Sequence, residues 1–145
     1  MRKILLAAFM GVWAASAASG CESWVLVRGA GCMIESPGGT QRLRMLTSDG
    51  RVFLQLWDEG WAFKKAKTGF LVTFDRKSGW RFDNALADGQ TATVALQDGE
   101  DGVKFVQGLM NSGKASVLSA SGKVVMEVSL AGSGDAVRAL QKCKG

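Results

Sequence analysis

Turn dipeptides cut this sequence again and again: Pro37-Gly38-Gly39, Asp49-Gly50, Ser78-Gly79, Asp88-Gly89, Asp98-Gly99, Ser112-Gly113 and Ser121-Gly122. Glycine accepts positive φ, and Asp or Ser bonds to the backbone beside it, so each pair favours a chain reversal. Between them lie short segments rich in β-branched and aromatic residues, several alternating apolar with polar. Short alternating segments separated by tight turns suit antiparallel strands joined as hairpins. Residues 24–28 and 32–35 read as the first strands. Residues 42–46 and 51–57 form a hairpin about Ser48-Asp49-Gly50. Residues 69–75 pass through a turn at Lys77-Ser78-Gly79 into Trp80-Arg81-Phe82. Residues 91–97 and 124–130 are the clearest later strands, with 115–119 before the last.

Two stretches carry helical spacing instead. Over residues 102–111, Val103, Val106, Leu109 and Met110 share one face, and Ser112-Gly113 follows as a stop. Over residues 133–143, Ala136, Val137, Leu140 and Cys143 share one side, with Ser133 or Asp135 placed to cap the first turn. The expected fold is mainly β (α+β): an antiparallel β-sandwich-like domain with two short helices. Residues 21–145 make one such domain, long enough to bury a substantial core.

Ahead of that domain the sequence changes character. Arg2 and Lys3 are followed by an unbroken apolar run, residues 4–14, and then by small residues up to Gly20. Basic, apolar and small in that order is the pattern of a secretory signal peptide, here residues 1–20. The run is too short to span a bilayer, which takes about 20 apolar residues. Two ends of the leader compete. Ala15-Ser16-Ala17 suits an ordinary signal peptidase. Ala18-Ser19-Gly20-Cys21 resembles the lipobox of bacterial lipoproteins, which implies that Cys21 carries acyl chains and begins the mature chain. Several chains on one residue anchor stably where a single one does not. The expected location is the cell envelope of a bacterium. The chain is held to a membrane through lipidated Cys21, or it is free in the periplasm.

Cys21, Cys32 and Cys143 are an odd number of thiols for an exported chain. Lipidation of Cys21 leaves Cys32 and Cys143 to pair, tying the start of the fold to its last helix. The alternative is a Cys21–Cys32 bridge with Cys143 free. Either bridge persists in an oxidising compartment. The sequence has no histidine and no CxxC, so no site built from the usual zinc ligands is expected, and no other cofactor. Ser-His and Cys-His catalysis are excluded outright.

Basic side chains outnumber acidic ones by 18 to 13, and loss of Arg2 and Lys3 with the leader lowers the net charge from +5 to +3. The charge lies in blocks: residues 40–81 carry a net +5, residues 82–101 five acids and no base, and residues 102–145 a net +4. Such blocks steer a charged partner, or neutralise one another where the fold brings them together. An exported chain of this modest charge is not expected to bind nucleic acid.

The most informative stretch for function is R-V-F-L-Q-L-W-D-E-G-W-A-F, residues 51–63. Val52, Leu54 and Leu56 share one strand face; Phe53, Gln55 and Trp57 share the other, beside Arg51. With the aliphatic face in the core, the aromatic face points outward, and Trp61, Phe63, Lys64, Lys65 and Lys67 follow closely. Trp, Phe and basic side chains together mark binding surfaces. Arg51, Phe53, Trp57, Trp61, Lys64 and Lys65 are therefore the candidate binding surface, against the alternative of a strand buried on both faces. Asp58-Glu59, between Trp57 and Trp61, is the one carboxylate pair suited to glycan cleavage, unless it is a plain hairpin turn. Asp98-Gly99-Glu100-Asp101-Gly102 offers oxygens to calcium but lacks the full loop spacing, and it equally suits a helix N-terminus. Gly132-Ser133-Gly134 offers backbone N–H groups to an anion, or simply begins a helix.

The stretch F-V-Q-G-L-M-N-S-G-K-A-S-V-L-S-A-S-G-K-V-V-M-E-V-S-L-A-G-S-G-D-A-V-R-A-L-Q-K-C, residues 105–143, resembles the close of the invasion-associated locus B type proteins. There an apolar helix and a Gly-Lys turn lead into two strands, then an S-L-x-G segment and an Ala-rich helix. Trp24 followed by Cys32 is a second point of similarity. The resemblance implies an exported β-sandwich-like protein of the cell envelope, associated with host interaction in some pathogens, and it implies no catalytic residues. The expected function is macromolecular binding at the envelope, with an unknown protein or envelope component as partner. The alternatives are a periplasmic inhibitor or immunity protein that blocks a partner enzyme, and a glycan-active enzyme using Asp58 and Glu59.

Overall fold

A computed structural model gives the structure of the protein over residues 23–143. Cys21 and the leader, residues 1–20, lie outside the described residues. Within them the chain runs β1 (Val25–Arg28), β2 (Cys32–Glu35), β3 (Gln41–Ser48), β4 (Arg51–Asp58), β5 (Phe63–Phe74), β6 (Ser78–Gly89), β7 (Thr91–Ala95), α1 (Glu100–Asn111), β8 (Lys114–Ser119), β9 (Val124–Ser129) and α2 (Ser133–Lys142). The strands form one antiparallel sheet in the order β1-β2-β3-β4-β7-β6-β5-β8-β9. The fold is thus the expected β-rich, sandwich-like one with two helices.

Alternation decides which side chains face the core. Ile34, Met45 and Leu54 lie opposite one another across β2, β3 and β4, and Leu43, Leu56 and Ala92 form the next row. All six are buried. In the other half of the sheet Phe70, Val72 and Phe74 on β5 join Ala115 and Val117 on β8 and Met126 and Val128 on β9 in the same core. The two ends of the sheet come together around it. The Trp24 backbone N–H donates to the Ala131 carbonyl at 3.1 Å, and its indole N–H donates to the Ser129 carbonyl at 2.8 Å. Gln41 Nε2 donates to the Val125 carbonyl at 2.8 Å, linking β3 to β9.

Both helices press one stripe into this core. α1 buries Phe105 and Leu109. The Phe105 ring meets those of Phe74, Trp80 and Phe82 at 5.2, 5.8 and 5.4 Å between centroids. Gly108 is needed for that approach, because a Cβ there would sit 2.6 Å from the Phe74 ring. α2 buries Ala136, Val137 and Leu140, and just past its end Cys143 forms a disulfide with Cys32, the Cα atoms 6.2 Å apart.

Four local expectations change. On α1 Val103 is 55% exposed, and Phe105, one turn before Leu109, takes the core position. Neither Ser133 nor Asp135 caps α2: Gly132 is the cap at φ 79°, Ser133 Oγ donates to the Leu109 carbonyl at 2.7 Å, and Asp135 pairs with Arg138. The Ser133 hydroxyl is therefore spent on joining the two helices. The reversal between β5 and β6 falls at Asp75 and Arg76, both with positive φ, and Ser78 and Gly79 are already strand. Finally, β5 begins at Phe63 and β6 runs to Gly89, so the hairpin is far longer than residues 69–82. In its outer part residues 62–68 are exposed, while Ala85 and Ala87 opposite them on β6 are buried, and pairing with β6 holds the β5 half extended.

Candidate binding face

The outward face of β4 is built by the same alternation that fills the core. Leu54 and Leu56 are buried, while Phe53, Gln55 and Trp57 are part-exposed on the opposite side. The Asp49-Gly50 turn, with φ of 53° and 76°, sets β3 against β4 so that Arg42 faces Trp57 and Arg44 faces Gln55. Paired positive φ is what a two-residue hairpin turn requires. The guanidinium carbons of Arg42 and Arg44 stand 5.7 and 5.2 Å from the Trp57 ring centroid, and that of Arg51 stands 5.5 Å from the Phe53 ring. Each such contact contributes about 0.5–1 kcal/mol near a surface and restrains the ring.

A polar ladder crosses the same face. Arg42 Nη1 and Arg44 Nε both donate to the Glu35 carboxylate, the second at 3.1 Å. Arg44 Nη1 donates to Gln55 Oε1 at 3.1 Å, and Gln55 Nε2 donates to Thr93 Oγ1 at 3.1 Å. The cross-strand row continues from Thr93 to Leu86 and on to Lys67. Two arginines share one carboxylate, so this part of the face keeps a net positive charge. The Glu35 side chain is 10% exposed, against 19% for Arg44 and 32% for Arg42. Glu35→Gln is expected to cost about 2 kcal/mol, below the roughly 3–5 kcal/mol of a broken fully buried pair because both arginines keep water contact. A lower urea midpoint at unchanged slope would show it.

The six candidate residues do not all meet. Arg51, Phe53 and Trp57 share the β4 face. Trp61, only four positions after Trp57, turns back against the core edge, where its ring lies 4.9 Å from that of Phe63. Lys64 and Lys65 are exposed on β5, with β7 and β6 lying between them and β4. Sequence reasoning missed Arg42, Arg44 and Glu35. Their signal was present, since Arg42 and Arg44 alternate with the buried Leu43 and Met45 across from Trp57 and Gln55.

Asp58 belongs to a turn. Its carboxylate accepts the Gly60 N–H and Gln41 Nε2, each at 2.8 Å, while Glu59 is exposed. Two clefts lie elsewhere. One of about 840 Å³ is lined by Met45, Val52, Val137, Leu140 and the disulfide; one of about 480 Å³ is lined by Trp80, Phe82, Gln97, Asp101 and Phe105. Neither contains Asp58 or Glu59. Glu100 and Asp101 occupy the first turn of α1, where carboxylates favour the helix dipole, and Glu100 pairs with Lys104 at 2.9 Å. Among the described residues no three His, Cys, Asp or Glu side chains cluster as metal ligands. No protein-family model, curated protein or solved structure matches the chain, so the face stands on its own geometry.

Proposed function

We propose that this chain is an exported, lipid-anchored protein of the bacterial cell envelope that acts by binding a macromolecular partner through the outer face of β4. The observation that carries the reading is Trp57, in contact with two arginines of β3 on a part-exposed sheet face while the core lies on the other side. A restrained aromatic ring beside arginine loses little entropy on contact, which is why such residues dominate binding energy. The Cys32–Cys143 bridge supports the anchor, because it takes up the Cys32 thiol that the alternative pairing assigns to Cys21.

Two measurements test this. The intact mass of the protein from its native membrane fraction is expected to start at Cys21 with acyl mass added and one reducible bond. A soluble chain without that mass would sink the anchor. A photo-crosslinker in place of Phe53 is expected to trap one stoichiometric partner in cells, and Trp57→Ala with Arg51→Glu is expected to abolish the trap while circular dichroism stays native. An undiminished cross-link in that variant would remove the face from the mechanism.

A further inference from the structure

β5 has two neighbours along only part of its length. From Phe70 to Phe74 it pairs with β6 on one side and β8 on the other. Before that it pairs with β6 alone among the described residues, at Phe63 and over residues 66–68, with a shift of register on either side of the latter. This stretch is an open edge in the middle of the strand order. It is exposed from Ala62 through Thr68, including Ala66, whose cross-strand partner Ala87 is buried. Its sequence, F-K-K-A-K-T-G, carries three lysines and no acid, and none of those lysines forms an ion pair among the described residues. The Trp61 and Phe63 rings meet at a tilt where it begins.

An open edge presents backbone donors and acceptors to any further strand. Charge selects which strand can use them. A second copy of this chain pairing here would set lysine against lysine, and like charges facing across strands destabilise the pair. A strand with alternating carboxylates would complete the ladder and set its acids beside Lys65 and Lys67, two positions apart on β5. The geometry points to residues 63–69 as a strand-addition site for an extended acidic segment of a partner protein. This rests on the proposed binding role and specifies its mode: backbone pairing holds the segment, Lys64, Lys65 and Lys67 select its sign, and Phe63 with Trp61 offers apolar contact at one end.

The probe is a short fluorescent peptide alternating Glu with Val, with a peptide alternating Lys with Val as control, added to the full mature protein. The acidic peptide is expected to bind, to weaken as salt rises, and to slow amide exchange within residues 63–69. Lys65→Glu with Lys67→Glu is expected to weaken it on the order of tenfold, and the basic peptide is expected not to bind. No binding of the acidic peptide, or binding that leaves exchange of residues 63–69 unchanged, would overturn the inference. So would protection of the edge without peptide that disappears on dilution, which would assign it to a second copy. Failure here with the Phe53 cross-link intact would remove the edge alone and leave the β4 face standing.

Discussion

Phe105→Ala is expected to lower the stability of the fold by about 3–5 kcal/mol, the range for truncating a buried aromatic. The side chain is 1% exposed, and it is the point where α1 meets the sheet. It packs near-perpendicular to Trp80 and Phe82 and tilted against Phe74. Edge-to-face rings add to area burial, so three favourable contacts are lost together with the volume. Leu109 is then the one remaining fully buried residue of α1. Gly108 keeps the helix close to Phe74, so its backbone cannot move inward to fill the gap without meeting that ring. Denaturant unfolding measures the loss, and near-ultraviolet circular dichroism should report a loosened Trp80. A cost below about 1 kcal/mol would mean that the cavity collapses and that the ring does not key α1 to the sheet. Phe105→Leu, which keeps most of the volume, is expected to cost less than half as much.

Removal of the disulfide is the second large effect. Cys32→Ala with Cys143→Ala is expected to cost about 2–5 kcal/mol. The bridge spans 111 positions and so restrains nearly the whole described chain in the unfolded state. Its entropic contribution grows only slowly with loop length, which keeps the estimate within that range. In the folded state Cys32 is 1% exposed at the start of β2, and the bond pins the end of α2 there. α2 keeps Ala136, Val137 and Leu140 in the core, so the fold should persist and α2 should open first. Amide exchange is expected to speed in α2 before it speeds in β3 or β4. Reduction of the wild-type protein should reproduce the destabilisation. An unchanged unfolding midpoint in both tests would show that the bridge adds nothing beyond the core contacts.

The binding face and the helices show why some features are legible in a sequence and others are not. β4 could be read from its own residues, because side chains alternate strictly along a strand: Leu54 and Leu56 go in, so Phe53 and Trp57 go out. The Asp49-Gly50 turn is equally local, since only certain residues accept positive φ at both positions. On α1 Val106, Leu109 and Met110 pack inward as their spacing predicts, but Val103 does not, because Phe105 takes the inward position in the first half of the helix. The three rings on β5 and β6 settle it for Phe105. Residues 63–68 show no alternation to read, as their extended form comes from β6.

The sequence by itself determined most of the strand-and-turn grammar and the inward and outward faces of β3 and β4. Those features depend on interactions within a few residues, where period and turn chemistry act. Only the tertiary structure decided that Arg42 and Arg44 contact Trp57 while sharing Glu35, that Cys32 pairs with Cys143, that Ser133 ties α2 to the Leu109 carbonyl instead of capping its own helix, and that half of β5 is left as an open edge. Each of these depends on which distant segment lies alongside, and that is set by packing of the whole core.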